Sequence, residues 1–216
     1  MRNMDKDSLS NLTGMIKNSP VPFIICNPRL DDNPIVACNT AFVELTGYDE
    51  SEIIGHNCRF LSGADTDPEH TQTIVNAVKN HEPLLIQLLN YKKDGTTFRN
   101  ALMIAPIFDD EDQLAYFLGS QMEIAETYDY ISSERQVAAI KLVELLSPQQ
   151  KRVLAQVAKG YRNKQIAHNL QISVSTVKIH RAEALAKMNL STSAEAIRVA
   201  VEAGLLGRPP VLKAML

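Results

Sequence analysis

The run Gly55-His56-Asn57-Cys58-Arg59-Phe60-Leu61 places a thiol between an amide and a cation. Gly55 and the polar residues after it predict the start of a helix at Cys58. A helix N-terminus beside a cation favours thiolate character. Cys58 therefore reads as a chemical group. Cys26 and Cys38 lie in strand-like patterns and read as small buried hydrophobes. Further along, Asn90, Asn100 and Gln121 interrupt otherwise apolar strand-like runs. A buried primary amide requires partners. Three of them on one sheet face could hydrogen-bond a flat heterocycle that carries both donors and acceptors. Whether they share a face depends on the hairpin at Asp94-Gly95. A two-residue loop puts Asn90 and Asn100 on opposite faces. A three-residue loop, Lys93-Asp94-Gly95 with Gly95 left-handed, pairs Asn90 with Phe98 and brings both amides to one face. A shared ligand requires the second register, and that is the one predicted.

The elements that must hold these groups follow from the pattern. Residues 22–27 and 35–39 read as short strands around the turn-rich segment Pro28 to Pro34. Residues 40–80 read as short helices, the last opening at Pro68. Strands are predicted over 84–92, 97–108 and 114–124, with Asp94-Gly95 and Asp109-Asp110-Glu111-Asp112 as turns. The expectation is α+β: a five-stranded antiparallel sheet with helices on one face. In residues 125–146, Ile131, Val137, Ile140, Val143 and Leu146 recur at helical spacing and predict an amphipathic linker helix. From Ser147 onward the chain reads as all-α. Ser147-Pro148-Gln149-Gln150 is a capping box with proline at the first helical position, and Thr192-Ser193-Ala194-Glu195 is a second box. Four helices are expected, over about 148–160, 163–170, 174–188 and 193–204.

Charge divides along the same line. The net charge is −3, yet residues 147–216 hold 11 Lys and Arg against 3 Asp and Glu. A basic C-terminal block on an acidic N-terminal one is the footprint of a chain whose C-terminal part meets nucleic acid. No apolar run approaches the length of a membrane span, and the N-terminus lacks an apolar signal core, so a cytoplasmic chain without membrane contact is expected. Three cysteines without metal spacing argue against a disulfide framework and a zinc site. No catalytic dyad or nicotinamide fingerprint is visible, and no enzyme is expected.

Only Gln171-Ile172-Ser173 separates the second and third C-terminal helices, which is helix-turn-helix spacing. On a helical wheel Val174, Val177, Leu185 and Met188 form the core face of the third helix. Ser175, Thr176, Ile179, Ala182 and Lys187 face outward, with Lys178 and His180 on the flanks. Small, hydroxyl and cationic side chains suit approach to base edges and phosphates. Arg181 falls on the apolar stripe and is expected to be a paired structural arginine. Leu146-Ser147-Pro148, Gly160, Asn163-Lys164-Gln165-Ile166-Ala167, Thr176-Val177-Lys178-Ile179-His180 and Lys187-Met188 resemble the LuxR-type helix-turn-helix of bacterial transcription factors. The resemblance implies double-stranded DNA as partner, base reading from Lys178, Ile179 and Ala182, and dimerisation through the fourth helix.

The N-terminal block carries a second resemblance. The heptapeptide at Cys58, with Asn90-Tyr91, Asn100 and Gly119-Ser120-Gln121, is similar to LOV domains, the flavin-binding photosensory branch of the PAS fold. The whole order resembles bacterial LOV helix-turn-helix transcription factors. The implied cofactor is FMN, with riboflavin or FAD as alternatives. Cys58 is implied to bond reversibly to the flavin C4a in blue light, Asn57, Asn90 and Asn100 to bond the ring edge, Gln121 to address N5 and O4, and Arg59 to pair with the phosphate. The resemblance further implies a monomer in the dark and a homodimer in light through the fourth helix and the linker. Two departures stand out: Ser62 follows Leu61 where the family usually has Gln, and Val75 stands where many members carry a second phosphate-binding arginine. The expected units are a cap segment (1–19), the LOV domain (20–124), the linker (125–146), the reader (147–207) and a tail (208–216). The alternative is a non-photochemical PAS regulator that senses a small ligand or redox state.

Overall fold

A computed structural model describes the backbone of residues 2–109, 111–124 and 128–206, and the side chains of 9–109, 111–124 and 135–206. Helix α1 (Arg2–Ile16) precedes strands β1 (Phe23–Cys26) and β2 (Ile35–Cys38). Helices α2 (Thr40–Thr46) and α3 (Glu50–Ile53), a 3₁₀ turn over Cys58–Leu61, and α4 (Pro68–Asn80) follow. Local chemistry sets their limits. The Asn39 side chain caps the α2 N-terminus, and Gly47 ends that helix at φ +75°. Asp67 caps α4, with Pro68 in its first turn.

Strands β3 (Leu84–Tyr91), β4 (Thr97–Phe108), β5 (Leu114–Ser120) and β6 (Glu123–Ile124) complete an antiparallel sheet of order β2-β1-β5-β4-β3. The expected five strands become six because the last one breaks at Gln121-Met122. β6 resumes the β5 register on β4, pairing Arg99 with Ile124 and Asn100 with Glu123. Inside the break, Gln121 N–H turns to the Pro22 carbonyl and Met122 N–H to the Asn100 side chain. The β3–β4 hairpin has the three-residue loop. Asn90 pairs with Phe98, Leu88 with Asn100, and Gly95 is left-handed at φ +85°.

The sheet carries its short helices on one face, as expected, and its other face is covered by α1 and the C-terminal helices. On one side Ile24, Leu88, Leu102, Ile104 and Phe117 pack with Phe42, Ile53 and Leu61 of the short helices. On the other, Phe23, Ile25, Met103, Ala105 and Leu118 pack with α1 and with the C-terminal helices.

Those helices are α5 (Tyr128–Glu144), α6 (Pro148–Ala158), α7 (Asn163–Leu170), α8 (Val174–Met188) and α9 (Ser193–Glu202). The capping box at Ser147 and Gln150 forms reciprocally. At α9 Thr192 caps Glu195 N–H, but Glu195 returns its bond to Ser191, so that box is incomplete. The stripe expected on α5 is also corrected. Val143 and Leu146 are buried as expected, together with Ala139, whereas Val137 and Ile140 face solvent. Ile131 lies outside the described side chains. The α5 contact runs mainly along α9 rather than the sheet, so packing against a helix selected a different stripe.

Candidate functional site

Cys58 opens the 3₁₀ turn, and Asn57 is its cap. The Asn57 Oδ1 accepts from Arg59 N–H at 3.0 Å, while Nδ2 donates to the Asp32 carbonyl at 2.6 Å. One amide thus fixes the turn and ties it to the loop after β1. Arg59 points outward and pairs with the Asp32 carboxylate at 2.6 Å. The hydrogen bond holds the Asp32 carboxyl below, and the guanidinium above, its ordinary range. With Arg59 turned away, burial decides the state of the thiol and pushes Cys58 up to about 12. The expected thiolate character is overturned: a single 3₁₀ turn and an outward cation do not offset desolvation. Cys58 is a protonated thiol at neutral pH. Cys26, the buried one of the three, is raised still further, and half-buried Cys38 rises to about 11.

The three amides come together on the sheet face that looks toward Cys58. Asn100 Nδ2 donates to Asn90 Oδ1 at 2.8 Å, and Asn90 Nδ2 donates to the Leu61 carbonyl at 3.0 Å, joining the sheet to the end of the 3₁₀ turn. Asn100 Oδ1 accepts from Met122 N–H at 3.1 Å. Gln121 is fully buried; its Nε2 lies 3.8 Å from Cys58 Sγ and its Oε1 has no hydrogen-bond partner. An orphaned buried carbonyl beside a neutral thiol is costly unless something else uses it. Val75 is exposed on α4, and neighbouring Gln72 bonds Asn76.

In the second constellation, Ser173 caps α8 and its hydroxyl lies 2.6 Å and 2.7 Å from those of Ser175 and Thr176. Ser175, Lys178, Ile179, Ala182 and Lys187 are exposed and Thr176 half-buried, Ile179 at 55%. Val177 and Met188 are buried as expected. Val174, in the first turn of α8, is exposed instead. Lys187 is tied back to Gln150 Oε1 at 3.0 Å, and Arg181 lies inward, donating to Asn163 and Ser193. The α8 outer face is open, whereas α9 lies against β3 and β4.

Comparison with known proteins decides the family. Residues 20–126 match the PAS domain family, and residues 144–200 match the bacterial regulatory proteins of the luxR family. The light-state structure of the blue-light photoreceptor Aureochrome1 LOV is 36% identical, with a TM-score of 0.50, and the match covers 57% of this chain and 93% of that one. The chain is a LOV sensor followed by a LuxR-type helix-turn-helix domain. A blue-light-activated histidine kinase of Brucella anthropi is 39% identical over 147 residues, which span 68% of this LOV–LuxR chain and 30% of the kinase. Its counterpart in Brucella canis is 45% identical over 104 residues, or 48% of this chain and 21% of that protein. The LOV–LuxR chain therefore spans less than a third of the curated kinases it matches. The PAS domain of the fruit-fly ELK potassium channel is also similar, at 33% identity and a TM-score of 0.52, over 54% of this chain and 96% of that one.

Sequence reading missed several groups at this site. Asp32 gave no signal, because its pairing with Arg59 spans 27 residues. Arg198 did give one: it stands between Ile197 and Val199 on a helix whose moment is apolar, the same sign that singled out Arg181. It is 4% exposed and bonds Ser120.

Proposed function

We propose that this chain is a blue-light-controlled transcription factor whose sensor (residues 20–124) holds a flavin and whose reader (residues 147–207) binds DNA, joined by the linker 125–146. The carrying observation is the buried Gln121 amide, with an orphaned carbonyl and a neutral Cys58 thiol 3.8 Å from its nitrogen. The residues fit a flavin. Asn90, Asn100 and Gln121 present donors and acceptors on one face, each with hydrogen-bonding capacity beyond the partners it has. Asn57 sits at the same end as Cys58, and Arg59 offers a cation for a phosphate. A bound flavin would supply the blue-light photochemistry, and Cys58 would supply the sulphur for a reversible bond at C4a and the proton for N5. The chain supplies the rest: a protonated thiol held by a capped turn, an apolar wall, and a buried Gln121 amide whose carbonyl has no partner in the protein.

Gln121 is the switch in this reading. Its Nε2 suits an acceptor at the ring edge, and a protonated edge requires Oε1 instead. The strand breaks at Gln121-Met122, directly after Ser120, so these two residues can shift without unzipping the β4–β5 ladder. On the opposite face α9 buries Ala194, Ala196, Ile197, Ala200 and Val201 against the sensor and its neighbouring helices. This closed arrangement supports the reading of a monomer in the dark. Release of α9 and the linker exposes the surface for a homodimer in light, and a two-fold dimer reads half-sites about 34 Å apart. Ser175, Thr176, Lys178, Ile179 and Ala182 carry the DNA face, with Lys187 at its edge.

The purified protein is expected to be yellow, to bleach under blue light and to recover in darkness. Cys58→Ala should remain yellow and lose the bleaching. Light-versus-dark sizing should show a monomer becoming a dimer. A wild type that is colourless and takes up neither FMN nor riboflavin would sink the photosensor reading.

A further inference from the structure

Gln121 lies between two residues that reader-side helices grip. Ser120 faces away from it, fully buried on the opposite side of the sheet. Arg198 of α9 donates from Nη1 to Ser120 Oγ and from Nη2 to the Ala101 carbonyl at 3.5 Å. Ala101 is bound to the same segment, because its N–H donates to the Met122 carbonyl at 2.9 Å. Arg135 of α5 donates to Met122 Sδ at 3.8 Å. Three consecutive residues are thus held from three directions: Ser120 by α9, Gln121 by the Cys58 side, Met122 by α5.

The chemistry of the grip is unusual for a docking contact. Arg198 is 4% exposed, and its Nε forms an ion pair with Glu202 Oε1 at 2.7 Å, one turn along its own helix. Burial lowers the Arg198 pKa, the Glu202 carboxylate raises it, and the Arg135 charge lowers it again. The sensor meets this cation with a hydroxyl and a carbonyl. A buried charge that loses an acceptor costs far more than a neutral pair does. Two mutually repelling arginines, each with an acceptor on 120–122, make the docked state sensitive to the position of that segment.

We infer that Arg198 and Arg135 are positioning residues that couple the Gln121 segment to the reader, so that a shift of residues 120–122 takes acceptors from both and frees α9 and α5 together. This rests on the reading that light reorients Gln121, and the experiment separates the two.

Ser120→Ala, Arg135→Met, Arg198→Met and the double variant Ser120→Ala/Arg198→Met are each measured in darkness and in light by sedimentation, by DNA-binding anisotropy and by the bleaching spectrum. Ser120→Ala should raise the dark dimer fraction and dark DNA affinity about tenfold, the size of one charge-assisted hydrogen bond. Lit values and bleaching should stay at wild-type levels, so the light-to-dark ratio contracts. Arg135→Met should act in the same direction. Arg198 lies on the helix that would dimerise, so its variant is read through the cycle: the dark effects of Ser120→Ala and Arg198→Met should be far from additive. Additive effects, or a Ser120→Ala protein with an unchanged light-to-dark ratio, would overturn the coupling and leave Arg198 a plain anchor. A wild type that never bleaches would instead defeat the light reading, while a dark gain in Ser120→Ala would still place the two arginines as the docking grip.

Discussion

At the scale of single residues, the decisive groups were visible because their types conflicted with their surroundings. A thiol among polar neighbours and three amides in apolar strands could be found without a structure. Their protonation state could not, because it depends on where Arg59 points, and Asp32 settles that from 27 residues away. The consequence can be measured. A thiol whose folded pKa is raised to about 12 stays protonated where the unfolded chain, at about 8.5, ionises. The unfolded state then binds fewer protons, so stability falls as pH rises from about 8.5 toward 12. Cys26 and Cys38 push the same way. Denaturation midpoints taken between pH 8 and pH 10 should therefore decline, and Cys58→Ala should make the decline shallower. A slope identical in the variant would show that Cys58 is not desolvated in the fold. Val75 gives a second residue-scale expectation. It is exposed on α4, and Arg59 already shares its charge with Asp32. Val75→Arg should tighten FMN several-fold relative to riboflavin in fluorescence titrations of the flavin-free protein. Equal tightening of both would place the phosphate elsewhere.

At the scale of elements, punctuation was read well and faces were read less well. Pro68, Ser147, Ser173 and Thr192 each open a helix, because an N-cap is a local bond between residues two or three apart. The β3–β4 register also followed from a local cause, the left-handed Gly95 in a three-residue loop. The α5 stripe did not, since which side of a helix is buried depends on what packs against it, and α9 is distant in sequence. The strand break at 121–122 was hidden for the same reason: Pro22 and the Asn100 side chain create it. Gly95 offers a clean test of the register argument. A Cβ there would meet nothing within 4 Å, so only the positive φ penalises a side chain. Gly95→Ala should cost about 1–2 kcal/mol in urea denaturation, and Gly95→Asn clearly less. A Gly95→Ala protein of full stability would mean that the loop is not left-handed at that position, and the shared face of Asn90 and Asn100 would lose its support.

At the scale of the whole molecule, the fold alone does not tell a photosensor from any other PAS domain, since a potassium-channel PAS domain is as similar in shape as a LOV domain is. The photosensor reading rests instead on Cys58 and the amides that face it, and the docked helix-turn-helix domain gives the sensor a neighbour to act on. That docking has a second contact, far from Ser120. The α6–α7 turn lies on the end of β4 so closely that a Cβ on Gly160 would clash with the Pro106 carbonyl. Around it Arg162 donates to the Phe108 carbonyl at 3.0 Å, and Gln165 donates to the Asp109 carbonyl and the Asp112 carboxylate. The carboxylate belongs to the acidic turn of the sensor and its donor to the first turn of α7, so the hairpin is tied to the reader by hydrogen bonds. Moving a closed population from 99:1 to 1:99 takes about 5.5 kcal/mol, and removing one hydrogen bond to a charge withdraws about 1.5–3 kcal/mol of the closing energy. Asp112 is the place to remove it. Its φ of +59° suits glycine, so Asp112→Gly deletes the carboxylate without straining the turn. The variant should bind DNA in darkness roughly ten-fold more tightly than wild type, since about 1.4 kcal/mol is a factor of ten. It should bleach normally and match wild type in light, where the proposed release would already have parted the halves. If affinity rose equally in light and dark, the loss of a negative charge near DNA would account for it, and the hairpin contact would have no part in closing the molecule.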